Sequence, residues 1–343
     1  MNSKIICAIR SWSTVIYRCA ALGTLFLFIF FVNGCGPTYP KEKLEASIIK
    51  ICKQEYKVDV KVETIGKTIA IYLPLEDLLD FSFAVTASAS EKINDVILSV
   101  SRVTLSTDAG YQFYCIIAHD IRIPELQIVI IKSVDDVKRF LLNDISRSEY
   151  SKRMLIDLRL SPQAQKEHAI KEVFEKMGLD KQWQDSVMND FFRSAPAGLG
   201  DIGYWDDHFY IKDVALPEFL SEQIANRIRM EFREDKKLAD EYVIKSSKGI
   251  FNSKLNQHYF RIEILTAPRW LQGAEAERYS DLFFKTTLTV AGNVIGGYKF
   301  TDFDYLEIVD QNSGKSLKVS KEDIEAFRKK KIDFKEILKK DIG

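Results

Sequence analysis

Apolar and polar positions along this chain follow two periods. Leu44, Ile48, Ile51 and Cys52 recur at helical spacing and predict a helix over 41–55. The next stretch, YKVDVKVE from Tyr56, alternates strictly and predicts a strand, and Gly66-Lys67 turns the chain into a second run, TIAIYLPL. Ser88 and Glu91 have capping-box spacing and open a helix carrying Ile93, Ile97 and Val100, which ends at STDAG. YQFYCIIAHD and LQIVII predict two further strands, with Pro124 between them where a strand edge tolerates it. Ser133 and Asp136 then cap a helix carrying Val137, Phe140 and Leu141. Residues 41–146 therefore read as an αββαββα module.

The pattern changes over 147–203. This stretch is charged and mostly helix-favouring, and its one strand-like feature is the alternation of Ile156, Leu158 and Leu160 before Pro162. Ile170, Val173, Phe174 and Met177 mark a helix, Gly178 its C-cap and Asp180 a new N-cap. We read the segment as a helical connector ending in a Gly-rich loop. From 204 onward the first plan returns. Pro217 can begin a helix whose face continues through Ile224, Ile228 and Phe232. EYVIKSS and HYFRIEIL read as strands around Gly249, and 276–295 fits a helix. FDYLEIVD and KSLKVS form a hairpin about Asn312-Ser-Gly, and Ser320 with Asp323 opens another helix. Both halves thus predict α+β modules with antiparallel sheets covered by helices on one face, and the common order suggests an internal duplication.

A chain of 343 residues suits about two such domains. Basic and acidic residues balance at 49 each, which speaks against nucleic acid as a partner. The N-terminus departs from this balance. Residues 1–34 carry Lys4, Arg10 and Arg18 and no acid, followed by an apolar run from Cys19 to Val32. That run is about 14 residues, whereas a membrane-spanning helix needs about 20, so a secretory signal fits better than an anchor. Val32-Asn33-Gly34-Cys35 closes the run, with a branched residue three before the cysteine and a small one directly before it. This resembles the lipobox of bacterial lipoproteins. The resemblance implies cleavage after Gly34, a diacylglycerol on the Cys35 thiol, and a short tether over 35–40. With Gly36 next, it implies the outer membrane more than the inner, and a body facing the periplasm. Several acyl chains together hold a protein stably.

Export makes a disulfide between Cys52 and Cys115 one expectation, with two separate buried thiols as the alternative. Candidate chemistry is sparse. GLGDIG at 198–203 matches GxGxxG formally, but it lacks the preceding strand and following helix that phosphate binding requires. Asp206, Asp207 and His208 stand together beside Tyr204 and Trp205, yet along a strand they divide between two faces. His119 and Asp120 offer a base and an orienting acid without an assignable nucleophile, and His168 and His258 stand alone. No metal or cofactor is expected from these patterns.

The C-terminus is basic and amphipathic. Arg328, Lys329, Lys330, Lys331, Lys335, Lys339 and Lys340 interleave with Phe327, Phe334, Ile337 and Leu338. Such a helix suits an anionic lipid surface or an acidic partner, or it docks its apolar face and solvates its lysines. The expectation is a non-catalytic, lipid-anchored envelope protein acting as a binding, assembly or accessory module. A carrier of lipids or small molecules is the alternative and needs an apolar cavity. A secreted hydrolase is a second alternative, which needs His119, Asp120, Asp206 and His208 to converge.

Overall fold

The computed structural model describes residues 38–80, 84–165, 199–268 and 274–340. Val32, Asn33, Gly34 and Cys35, the signal and most of the tether, and the helix marked by Ile170 and Met177 lie outside the described residues.

Two β-hairpins joined by a helix build each half. In the first, α1 (Leu44–Glu55) leads to β1 (Lys61–Ile65) and β2 (Thr68–Leu75), α2 (Ala87–Leu105) crosses over, and β3 (Phe113–Asp120) and β4 (Leu126–Ser133) follow. Helices α3 (Val134–Leu141) and α4 (Arg147–Lys152) come next, and β5 (Leu155–Leu160) completes a sheet ordered β1-β2-β3-β4-β5. The hairpin β6 (Gly203–Trp205) and β7 (His208–Tyr210) precedes the second half. There, α5 (Leu216–Glu234) and α6 (Lys236–Glu241) lead to β8 (Tyr242–Lys254) and β9 (Gln257–Pro268). Helix α7 (Ala274–Gly297) crosses over to β10 (Tyr305–Asp310) and β11 (Ser316–Ser320), and α8 (Lys321–Arg328) and α9 (Phe334–Lys340) close the chain. This sheet is ordered β11-β10-β9-β8.

Both sheets share one winding. Their hairpins are antiparallel, while the strands on either side of the crossover helix, β2 with β3 and β9 with β10, run parallel. A helix connection returns the chain to the same end of the sheet, so one parallel pair is built into an otherwise antiparallel plan.

The two sheets differ in burial. The second has one apolar face, with Phe260, Ile262, Ile264, Leu306, Ile308, Leu317 and Val319 beneath helices. Its other face is a polar array in which Arg261 pairs with Glu263 at 2.8 Å and Glu307 at 2.7 Å, and Tyr259 stacks on Tyr305 at 4.7 Å. The first sheet is covered on both faces. Ile69, Ile71, Tyr114, Ile116, Ile128 and Ile130 pack with α1 and α2. Ala70, Phe113, Cys115, Ile117, Val129 and Ile131 face the second half and join one core with Phe219, Leu220 and Ile224 of α5. Continuous runs such as FYCIIA belong to two-sided burial.

Several local expectations are corrected. Thr86, not Ser88, caps α2, its hydroxyl accepting from the Ala89 amide at 3.1 Å. The aromatic strand expected through YWDDHFYI is a hairpin: Asp206 and Asp207 both take positive φ, 48° and 63°, the requirement of a tight two-residue turn. The turn between β8 and β9 is Leu255-Asn256, and Gly249 lies inside β8. A Cβ at Gly249 would lie 1.8 Å from the Ser221 carbonyl oxygen, so glycine here lets α5 settle onto the strand. The Cys52–Cys115 bridge is not formed. Both thiols are free and buried, and strand alternation puts Cys115 on the face opposite α1, with the sheet between them.

Gly249→Ala is expected to cost about 1–3 kcal/mol, because overpacking meets backbone rather than a movable side chain. Urea unfolding of the two proteins checks it, and equal midpoints would contradict the close approach.

Candidate functional site

Charged residues meet where the two halves join. Arg153 follows α4 and is 5 % exposed, and Asp136, on the first turn of α3, is fully buried. Arg153 Nη1 donates to Asp136 Oδ1 at 2.8 Å and its Nε donates to Glu149 at 2.7 Å. From the second half, Tyr298 donates its hydroxyl to Asp136 Oδ2 at 2.5 Å, and its ring lies 4.6 Å from the Arg153 guanidinium. Arg227 of α5 reaches Glu149 at 2.9 Å and the Lys152 carbonyl at 2.9 Å. Arg139 donates to the Gly297 carbonyl at the end of α7 at 2.9 Å. Asp136 thus gives its carboxylate to Arg153 and Tyr298, and no side-chain cap forms at Ser133.

These contacts oppose burial in different degrees. Burial pushes Glu149 up, but the Arg227 and Arg153 guanidiniums outweigh it and hold the carboxyl below its ordinary range. Burial raises Asp136 despite Tyr298 and Arg153. Burial also lowers Lys132 from 10.5 to about 7, against the opposing charge of Asp136. Lys132 is 1 % exposed and its ammonium nitrogen sits 3.3 Å from the centre of the Tyr150 ring.

A cleft of about 300 Å³ opens beside this network between α4, α5 and α7. Lys152 and Arg227 line it together with Glu231 and Glu234, and Gln223 lies at its wall. Gln223 donates to the Lys152 carbonyl at 2.5 Å, and its buried Oε1 has no partner among the described residues. Mixed charge at this density suits a polar ligand or a charged protein segment rather than an acyl chain. A second cavity, about 380 Å³, is lined by Phe232, Tyr242, Val243 and Ile244, with Arg229 and Arg233 beside them.

The residues singled out from sequence are dispersed. His119 and Asp120 point to opposite faces of β3. Asp120 is fully buried, accepting from the Leu78 and Leu79 amides at 3.1 and 3.3 Å and pairing with Arg122. It is a structural carboxylate, and Arg122 keeps it low against the pull of burial. His119 faces Tyr72, which stacks on Tyr204 of the β6–β7 hairpin at 3.8 Å. Burial lowers the His119 pKa. Asp207 joins that hairpin to β1 through Tyr204, at 2.9 Å, and through an ion pair with Lys61. His119 therefore lies near the hairpin of Asp206, Asp207 and His208, while Asp120 lies across the sheet. Among the described residues, no group of three or more His, Cys, Asp or Glu is placed to hold a metal ion.

At the C-terminus, Phe334 and Ile337 are buried in the shared core, so α9 has docked its apolar face. Arg328, Lys329, Lys330, Lys331, Lys335, Lys339 and Lys340 are all exposed. Lys329 pairs with Glu325 at 2.8 Å and Lys340 with Asp323 at 2.6 Å. Membrane contact by inserting this helix would require pulling it from the core. Contact through its lysines would not.

Sequence reasoning missed Arg153, Tyr298 and Lys132, since each draws its meaning from partners on other elements. The apolar run IVIIK, which ends at Lys132 inside a strand, was the one available sign of a buried cation. No protein-family model matches the chain, and comparison with curated proteins and with solved structures finds no match.

Two substitutions test this reading. Arg153→Met leaves buried Asp136 with the Tyr298 hydroxyl but no cation and takes one of two guanidiniums from Glu149, and it is expected to cost about 3–5 kcal/mol in urea unfolding. Lys132→Met should stabilise at pH 7, on the order of a few kcal/mol. Above pH 10.5 the lysine is neutral in both states. Between there and about 7 only the unfolded chain holds the proton, so wild-type stability falls with falling pH, and below 7 the loss is constant. The gap between Lys132→Met and wild type should therefore narrow from pH 7 toward pH 10.

Proposed function

We propose that the chain is a non-catalytic, lipid-anchored protein of the bacterial cell envelope that serves as a binding, assembly or accessory module. The observation that carries this reading is how closely the packed body follows the lipobox-like cysteine in sequence. Tyr39, four positions after Cys35, already donates its amide to the Ser106 carbonyl at 3.2 Å and packs on the first core. The next residues are held as well, with the Lys41 amide on Asp108 at 3.2 Å. The four residue steps from Cys35 to Tyr39 span at most about 14 Å when extended. An acylated Cys35 would hold the end of the body near Ser106 against the lipid headgroups, facing the periplasm, on the outer membrane by the identity of Gly36.

The binding role rests on the interhalf cleft. Its charged groups hold helices of both halves in place and leave Glu231, Lys152 and Asn293 along a polar wall. The shared winding of the two sheets supports an internal duplication, in which a second module became the cover for the first. The cavity beside Phe232 and Tyr242, apolar with two arginines, favours a carrier of amphipathic anions as a second reading.

Intact mass and membrane fractionation of the wild type beside Cys35→Ser, expressed in a bacterium, test the anchor. A chain starting at residue 35 with a lipid-sized mass increment, both lost in the variant, is the expected result. A soluble wild-type chain without the increment would overturn it.

A further inference from the structure

Strand β5 ends the first sheet, and its outer edge pairs with no other strand among the described residues. Its backbone phase follows from the register with β4, in which Leu160 lies opposite Leu126 and Leu158 opposite Ile128. The Ser161 amide donates to the Glu125 carbonyl at 2.6 Å in this same register. Residues 155, 157, 159 and 161 therefore turn their peptide groups toward β4. Ile156, Leu158 and Leu160 turn theirs away from β4, toward the edge that no described strand pairs with. One of these groups is already used, because Gln165 Nε2 donates to the Leu160 carbonyl at 2.7 Å.

The side chains of that edge are unusual for a free strand. Ile156, Leu158 and Leu160 are 51 %, 42 % and 39 % exposed and form a row on one face. Free edges are ordinarily guarded by lysine, proline or a bulge within the strand. Here the other face carries one acid and one base, Asp157 and Arg159, paired at 2.8 Å.

We propose that β5 is the contact between two copies of this chain, pairing antiparallel with itself across a twofold axis at Leu158. In that register Leu158 meets Leu158 of the second copy and Ile156 meets Leu160. Asp157 lies opposite Arg159 in both directions. An isologous contact must be self-complementary, and this five-residue order satisfies that requirement for charge and for apolar surface together. Neighbouring registers do not. Centring on Asp157 sets carboxylate against carboxylate, and centring on Arg159 sets guanidinium against guanidinium. In the first arrangement the outward peptide groups of Ile156, Leu158 and Leu160 all pair among themselves, at the cost of releasing Gln165, whereas the neighbouring registers pair two of them and set the third against Met154 or Pro162, the latter without an amide hydrogen. Two five-stranded sheets would then join into one, with the apolar rows of both copies adjoining on one face.

Sedimentation velocity of the full chain in mild detergent reads the proposal. The expected wild-type result is twice the mass of one chain, falling to a single chain in Asp157→Arg, where two arginines would oppose each other in each pair. The exchange Asp157→Arg with Arg159→Asp restores opposite charges and should bring the dimer back. Leu158→Cys, at an exposed position, keeps the test independent of the charged pair: mild oxidation should add a covalent dimer that the wild type lacks. A wild type that remains a single chain up to about 100 μM, at the weak end of specific association, overturns the proposal. So does a dimer that persists in Asp157→Arg, a charge exchange that folds but stays monomeric, or Leu158→Cys without new cross-linking.

Discussion

Strands β3 and β4 are apolar on both sides, and that fact constrains the rest of the molecule. From Phe113 to Ala118 and from Gln127 to Ser133 every residue is buried. Water on either face would expose several large side chains, each worth about 1.5–3 kcal/mol when buried. The first half supplies cover for one face only, from α1 and α2. The second face needs α5 and the β6–β7 hairpin, which is why a chain with two similarly wound halves forms a common core instead of two beads on a string.

Polar groups set how that cover is seated. Gln127, 1 % exposed on β4, exchanges two hydrogen bonds with the Tyr204 backbone, accepting at 3.0 Å and donating at 2.5 Å. Asp213 accepts from the Lys67 amide at 2.9 Å and the Thr68 hydroxyl at 2.8 Å. That hydroxyl in turn accepts from the Val214 amide at 2.8 Å. These bonds fix the start of α5 against the β1–β2 turn. At the other end, the Asp136–Arg153–Tyr298 cluster does the same for α3, α4 and α7. Apolar contact alone is tolerant of sliding, whereas buried polar groups lose their partners when displaced, so they specify one arrangement.

The two halves use the same winding for different ends. The second sheet keeps one face in water and writes cross-strand pairs onto it, such as Arg261 with Glu307 and Tyr259 with Tyr305. Its alternating strands differ accordingly from the continuous runs of the first. A fifth strand also separates them. Ile156, Leu158 and Leu160 lie in a stretch whose composition reads as a helical connector, yet they pair along β4. The open edge of β4 offered backbone partners, and such pairing overrides weak local preference.

Element type and order were legible in the sequence because periodicity, caps and turns act over a few residues. The αββαββα order, the Gly66 turn and the Ser320 cap of α8, with its hydroxyl accepting from the Asp323 amide at 3.1 Å, all rest on such neighbours. Failures at the same range came where alternatives compete closely, as with Thr86 over Ser88, or where aspartates at 206 and 207 took a turn in place of a strand. The basic terminus was legible as amphipathic, and which side of it faces the core followed from its apolar spacing. The tertiary structure alone decided the second cover of the first sheet, the separation of Cys52 from Cys115 by that sheet, and the site between the halves. Asp136 and Tyr298 lie 162 positions apart and meet only through packing. Local pattern records which face of an element is apolar. It carries no record of which distant surface will cover that face, and a buried charge has meaning only once its partner is in place.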